Sequence, residues 1–476
     1  MLTTDIVIVG AGISGLSLAF RLHQMRPDWR LVILEASSRP GGTIWTEHEQ
    51  GFVVEYGPNG FLANKTSTLQ LLHDLNLDSE LISANPTARY RYVFDGQQLH
   101  RLPSGLWSLL TFPLLSWSSK WAIVTERWRR RPAPADEESV QDFISRRTDT
   151  ATGQLLGPLL VTGIYAGDAT RLSMAACFPR ILEMERNCGS VTAGFVQAAG
   201  KRKHQARQEG QPYVRGSQLF SLRTGLRSLI ETLASRLQPF LVLNTPVRRI
   251  ECASEASPPF RWKTLCDQGY FLSQQVVLTC PAYVQAELLR SLDVSLADTV
   301  AAIPYVPIAV IALGYATHQL GRHYKGFGYL ASADAPTSLL GCQWCSSIFP
   351  YRAPPDHVLM RYMAGGSRQP SILDRSDKEL VDIADQEARR LLNIRGSPVY
   401  ARVLRWPRAI PQYVLGHLTR LQLIQEALQR FPGLYLAGNA YRGVSLNDCT
   451  EQAVLLSEKI VQEASWLQYQ IPNVSP

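Results

Sequence analysis

The hydrophobic pattern opens on an unbroken apolar run, Ile6–Val9, followed by glycines rather than by polar alternation. A continuous β-branched run is what a strand buried on both faces of a parallel sheet shows. A helix is predicted from near Ser14, and a second run, Leu31–Leu34, ends in Glu35. Leu241–Asn244, Val247–Glu251 and Val276–Thr279 read as further strands, with an amphipathic helix over Gly225–Leu237. Residues 300–405 alternate apolar strands with one helix near Asp377–Leu392, and residues 450–464 read as a closing helix. The expected class is α/β (α+β overall). A Rossmann-like domain is assembled from residues 1–85, 211–285 and 431–465. A mainly helical insertion spans 86–210, and a mixed-sheet substrate domain spans 286–430.

The first turn carries chemistry. Gly10, Gly12 and Gly15 stand in G-x-G-x-x-G register, with Ala11, Ile13 and Ser14 between them. The first glycine permits the tight turn, the second lets backbone approach a pyrophosphate, and the third lets helix and strand pack closely. The phosphates would sit on the helix N-terminus. Glu35, followed by Ala36, is the acid that accepts from ribose hydroxyls and repels a 2′-phosphate, so FAD or NAD is expected over NADP.

Arg39, Gly41 and Gly42 complete E-x-x-x-R-x-G-G, and Gly57-Pro58-Asn59-Gly60 follows. Near the other end stand Gly438 and the run Val444-Ser445-Leu446, where a strand enters a glycine turn and a helix. These turns resemble those of the amine-oxidase-like flavoproteins. There the Gly pair and Arg hold the FAD diphosphate, the G-P-N-G stretch passes the flavin, and the last turn offers backbone N–H groups to the flavin pyrimidine. FAD is therefore the expected cofactor. The strand entering Val247 would bring backbone groups to the adenine.

Composition narrows the rest. With 476 residues, 45% of them hydrophobic, two or three packed units are expected. Met1–Asp5 leads straight into the first strand, so no secretory or transit signal is expected, and no apolar stretch suits a transmembrane helix. The eight cysteines are scattered, so disulfides are not expected and the compartment is read as a reducing, cytoplasmic one. Cys342 and Cys345 have redox spacing without a thioredoxin-like context, and no His/Cys cluster has metal-ligand spacing. A net charge of +8 without a nucleic-acid motif points to anionic lipid or an anionic substrate rather than nucleic acid.

The insertion is rich in Trp and Arg: Trp107, Trp117, Trp121 and Trp128, closed by Arg127, Arg129, Arg130 and Arg131. Aromatics beside cations suit an anionic membrane surface, which would make the protein peripherally associated with a membrane. The same composition also suits a helical domain that buries its tryptophans. Arg129–Glu138 reads as a loop, and Lys201–Arg207 reads as a solvated, mobile basic stretch.

Motifs along nearly the whole chain resemble one family. They are Arg91-Tyr92-Val93-Phe94, Leu102-Pro103-Ser104-Gly105-Leu106, Gly326–Leu330, Ser347–Pro350, Gly365-Gly366-Ser367-Arg368 and Ile410–His417. In this order they resemble the FAD-dependent protoporphyrinogen and coproporphyrinogen oxidases. The resemblance implies six-electron oxidation of protoporphyrinogen IX to protoporphyrin IX by O2, with peroxide as product, in haem or chlorophyll synthesis. Oxidation of coproporphyrinogen III is the alternative within the family, and an amine or carotenoid oxidase or an FAD-loaded scaffold lies outside it. A membrane quinone in place of O2 is open. The resemblance implies that Arg91 binds a propionate, that Phe327, Leu330 and Trp344 clamp the ring, and that Trp406 lies near the flavin. No catalytic side chain is expected, because the flavin carries the redox work. His417 reads as a structural histidine. Gly438-Asn439-Ala440-Tyr441-Arg442 lacks the cysteine of covalent flavin binders, so FAD is expected to be non-covalent. A homodimer and hand-over of product to a chelatase also fit the resemblance.

Overall fold

The first apolar run is longer than its β-branched heart. Leu2–Val9 forms a strand between Leu31–Leu34 and Gly269–Leu278, parallel to both. The computed structural model describes residues 2–128, 136–208, 218–253, 259–322 and 325–469. Among them, this sheet continues from Leu31–Leu34 to Leu241–Val242 at one edge. On the other side, Gly269–Leu278 is shared. Its first half pairs antiparallel with Trp262–Cys266, which pairs with Val247–Cys252, and its last three residues pair parallel with Leu434–Leu436. Strands distant in sequence thus meet at the carboxyl end of Leu2–Val9.

Helices cover both faces of this sheet. On one, Ile13–Met25 packs with Arg227–Arg236 and with Leu446–Tyr469, burying Leu16, Leu229, Leu233 and Ile460. On the other, Ala282–Leu289 and Val294–Ala301 bury Ala286, Leu296 and Val300 against Val7, Val9 and Leu278. Burial on both sides explains why the strands read as unbroken apolar runs.

A second seven-stranded sheet has the order Tyr400–Pro411, Tyr305–Ala316, His357–Gly365, Leu339–Trp344, Gly328–Ala331, Arg91–Phe94, Leu99–Arg101. The helix Asp377–Leu392 covers one face, over Tyr315, Tyr329, Cys342, Met360 and Tyr362. Ser376 caps it, exchanging hydrogen bonds with Glu379, which is why its start was legible. The other face meets Phe52, Val54 and Tyr56 of the dinucleotide domain.

Three boundaries differ from the sequence reading. Arg91–Phe94 and Leu99–Arg101 join the second sheet rather than the helical insertion, because Arg91–Phe94 pairs parallel with Gly328–Ala331. Residues 286–301 pack on the first sheet, so the C-terminal run of second-sheet strands begins only at Tyr305. The helix His417–Leu428 also packs with the first sheet, through Ile424.

The insertion is helical, from Leu106–Leu110 to Val191–Gln208. Lys201–Arg207 lies inside that last helix rather than in a mobile stretch. Arg129, Arg130 and Arg131 lie outside the described residues. Among the described residues no helix is long and apolar enough to cross a membrane.

Candidate FAD and substrate cleft

The glycine turn follows directly from Val9. Gly10 has φ +107°, and a Cβ at Gly15 would stand 2.1 Å from the Gly10 carbonyl oxygen and 2.7 Å from Thr279 Oγ1. Neither position accepts a side chain. Gly12 is different: a Cβ there would meet nothing within 4 Å, so its backbone faces open space at the N-terminus of Ile13–Met25. The N–H groups of that first turn are available to an anion. Glu35 is fixed beside them, accepting from Ala11 N–H at 2.8 Å and from Ser37 N–H at 2.9 Å. Ser37 Oγ also donates to it, at 2.6 Å; a carboxylate has about four acceptor sites, so one remains for a ribose hydroxyl.

The second glycine turn lies against the first. Gly41 N–H donates to Ala11 O at 2.7 Å, and Gly12 and Gly41 form a parallel bridge. Gly41 and Gly42 both have positive φ, 111° and 57°. Arg39 lies 3.8 Å over the Trp45 ring and donates to Gly42 O at 3.0 Å, which holds its guanidinium at this turn. Partial burial lowers its pKa, and Glu35 opposes that shift. Ala36 is exposed beyond Glu35. Glu35 N–H donates to Val242 O and Thr245 N–H donates to Glu35 O, so the 242–245 segment flanks the acid. Val247 opens the next strand, two residues on.

Gly57 and Gly60 are required by backbone packing. A Cβ at Gly57 would stand 2.0 Å from Thr43 O, and one at Gly60 would stand 2.4 Å from Phe220 O. Between them Pro58 leads to Asn59, which is 7% exposed, with neither amide atom hydrogen bonded. Trp406 donates from Nε1 to Tyr56 O at 3.0 Å, bracing the residue before Gly57.

The last turn brings a second helix N-terminus to the same place. Gly438 has φ +116°, and a Cβ at Gly443 would stand 2.3 Å from the Asp448 carboxyl carbon. Asp448 accepts from Ser445 N–H at 3.0 Å and from Lys65. Val444 packs on the insertion core, and Leu446 starts the long helix and is buried. Burial pushes the Cys449 thiol up to about 11, and Ser14 from the other helix faces it. The two helix N-termini therefore converge on one cleft.

Strand register sorts the substrate-side residues. Gly328 pairs with Arg91 and Leu330 with Val93; Leu330 pairs with Gly341, Gln343 with Arg361, and Gly341 with Met363. Alternation along each strand then puts Arg91, Val93, Leu330, Gln343, Arg361 and Met363 on one face, toward Tyr56 and Gly57. Arg91 lies 5.0 Å over the half-buried Phe327 ring and has no acidic partner among the described residues. The residue is exposed, yet the surrounding protein lowers its pKa by desolvation. Trp344 is a correction. It pairs with Met360, is 5% exposed, and packs 5.3 Å from Tyr92 and 6.4 Å from Tyr329 beneath Asp377–Leu392. The pleat turns it away from Arg91 and Leu330, so it is core rather than clamp. Gln343, Arg361 and Met363 were missed, because only the pairing of distant strands places them on this face.

His417 is buried, stacked 4.2 Å from Tyr413, with Nε2 donating to Tyr441 O at 3.0 Å. Burial pushes its pKa down to about 4. Tyr413 donates to Asn439 O at 2.5 Å. The pair ties the last turn to the second sheet, a structural duty. Cys342 and Cys345 are free and buried, and burial raises both thiols. No metal-binding group of His, Cys, Asp and Glu exists among the described residues.

Residues 13–461 match the family described as flavin containing amine oxidoreductase. The chain belongs to this family. It is a flavoprotein oxidoreductase, and FAD is the cofactor that the open backbone at Gly12, the Gly41–Gly42 turn and the two helix N-termini fit. Chloroplastic protoporphyrinogen oxidase 1 of Arabidopsis thaliana is 34% identical over 468 residues, covering 95% of this chain and 87% of that protein. Coproporphyrinogen III oxidase of Bacillus subtilis (strain 168) is 29% identical over 466 residues, covering 94% and 96%. A crystal structure from Exiguobacterium sp. 255-15, provisionally assigned as a protoporphyrinogen oxidase, superposes with a TM-score of 0.80 at 27% identity, covering 97% of this chain and 99% of that one.

Proposed function

We propose that this protein oxidises a porphyrinogen to the porphyrin, with protoporphyrinogen IX as the main substrate and coproporphyrinogen III as the alternative. The observation that carries the proposal is Arg91, an acid-free guanidinium on the cleft face beside Phe327 and Leu330. A carboxylate on a large apolar ring satisfies both parts of that surface. The names of the similar proteins support the same substrate class.

When bound, FAD would supply the two-electron acceptor that the oxidation needs, with O2 as the terminal oxidant. The chain's own residues bind and orient. Arg91 anchors a propionate, and Phe327, Leu330 and Met363 present apolar surface to the ring. The packed sheets limit water. Among the described residues of the cleft, no side chain is arranged as a strong general base.

The protein works at an anionic membrane surface in this reading. Trp107, Trp117, Trp121 and Trp128 are 83%, 71%, 66% and 72% exposed, which a soluble helical unit does not require. Arg127 stands beside Trp128 in the chain, and Arg129, Arg130 and Arg131 follow it in sequence. The proposed reaction is tested by supplying protoporphyrinogen IX under air and following porphyrin fluorescence with O2 uptake. About three O2 per porphyrin is expected, and fluorescence no faster than autoxidation contradicts the proposal.

A further inference from the structure

The junction of the two sheets buries more positive than negative charge. Arg352 is fully buried and donates to Glu55 at 3.3 Å and to Ser221 Oγ at 2.6 Å. Glu55, 2% exposed, accepts also from Thr46 Oγ1 at 2.7 Å and Leu226 N–H at 2.7 Å. Arg361, 6% exposed, makes no ion pair among the described residues. Its guanidinium donates to Gly57 O at 2.5 Å and Gln343 Oε1 at 3.2 Å, and its Nε has no partner. Two guanidinium groups therefore share one carboxylate out of water.

A buried cation without a counter-charge costs several kcal/mol, about as much as a domain can spare. Burial accordingly lowers the Arg361 pKa, with Cys345 and then Glu55 opposing. The missing negative charge belongs to something that enters the cleft. Its path is marked by contacts. Gly12 touches Gly41 and Gly42, Gly57 abuts Thr43, and Arg361 holds Gly57. Asn59, two residues from Gly57, is buried with both amide atoms unpartnered.

We propose that Arg361 is an electrostatic positioning residue for the cofactor: its guanidinium balances the negative charge that two-electron reduction leaves on the bound flavin. Arg361 then favours the reduced form before any substrate arrives. The proposal rests on FAD occupying the cleft and is independent of which porphyrinogen is used.

Sulfite is a suitable probe, because its addition at flavin N5 sends an electron pair into the same ring system. FAD-loaded wild type, Arg361→Gln and Arg361→Lys are titrated with sulfite, and their flavin midpoint potentials are measured without substrate. The wild type should form the adduct. Arg361→Gln, which keeps a donor for Gly57 O, should bind sulfite at least tenfold more weakly. It should also lose at least tenfold in the equilibrium for reduction, about 30 mV for two electrons. Arg361→Lys should recover most of both. A wild type that forms no adduct overturns the proposal whether or not a variant folds. So does Arg361→Gln with both readouts unchanged. If that variant instead raises only KM for the porphyrinogen, the guanidinium serves a substrate carboxylate and the proposal fails.

Discussion

Leu330 and Trp344 stand on adjacent antiparallel strands and point to opposite faces of the sheet: Leu330 pairs with Gly341, and Trp344 lies three residues farther along that strand. Leu330 looks into the cleft and Trp344 into the core under Asp377–Leu392. Their substitutions should therefore fail differently. Trp344→Ala is expected to cost about 3–5 kcal/mol of stability with KM nearly unchanged in the molecules that remain folded. Leu330→Ala should raise KM severalfold with a loss of less than about 2 kcal/mol. Denaturant melts and steady-state kinetics on both variants check this.

Arg91 should act through affinity. Losing a charge-assisted contact of about 1.5–3 kcal/mol predicts a KM about tenfold or more higher in Arg91→Ala, with kcat little changed. Arg91→Lys should recover part, because an ammonium cannot bind a carboxylate with two parallel hydrogen bonds. An unchanged KM in Arg91→Ala would remove the propionate assignment.

Gly12 and Gly15 separate cofactor binding from folding. Gly12→Val enters open space, so the fold should survive while FAD is lost, seen as colourless protein with an intact far-UV spectrum. Gly15→Ala drives a methyl into the Gly10 carbonyl and should cost about 1–3 kcal/mol whether or not FAD is present.

His417 predicts an acid-side loss of stability. Its folded pKa, pushed down to about 4, lies below the ordinary value near 6.5. The unfolded chain then binds the extra proton between these values, so stability is full above about pH 6.5 and falls as pH drops toward 4. The loss should be on the order of 3 kcal/mol. His417→Gln should flatten this part of the pH–stability curve measured by chemical denaturation.

The exposed tryptophans give the membrane reading its test. Replacing Trp107, Trp117, Trp121 and Trp128 by Ser should abolish co-sedimentation with anionic vesicles at low salt, while Tm stays within a few degrees because these rings are largely solvated. Wild-type protein that ignores such vesicles would make the segment ordinary surface.

Much of the cofactor site was legible because backbone constraints write themselves into sequence. Gly10, Gly15, Gly41 and Gly57 are glycines because a turn or a carbonyl forbids anything else, and Leu31–Leu34 and Asp377–Leu392 matched their runs to the residue. The substrate face was less legible. Strand pairing across distant segments decides which way a side chain points, and no local pattern encodes it. Trp344 was misplaced and Arg361 overlooked for that one reason. The strands Arg91–Phe94 and Leu99–Arg101 were assigned to the insertion because Gly328–Ala331, which ties Arg91–Phe94 into the second sheet, lies more than two hundred residues away.

The most direct test of the account is kcat/KM of the FAD-loaded protein, under air, for protoporphyrinogen IX and for coproporphyrinogen III, with product fluorescence corrected for autoxidation. The account predicts porphyrin from at least one, fastest from protoporphyrinogen IX, and sensitive to Arg91→Ala. FAD-loaded protein that forms porphyrin from neither would contradict it.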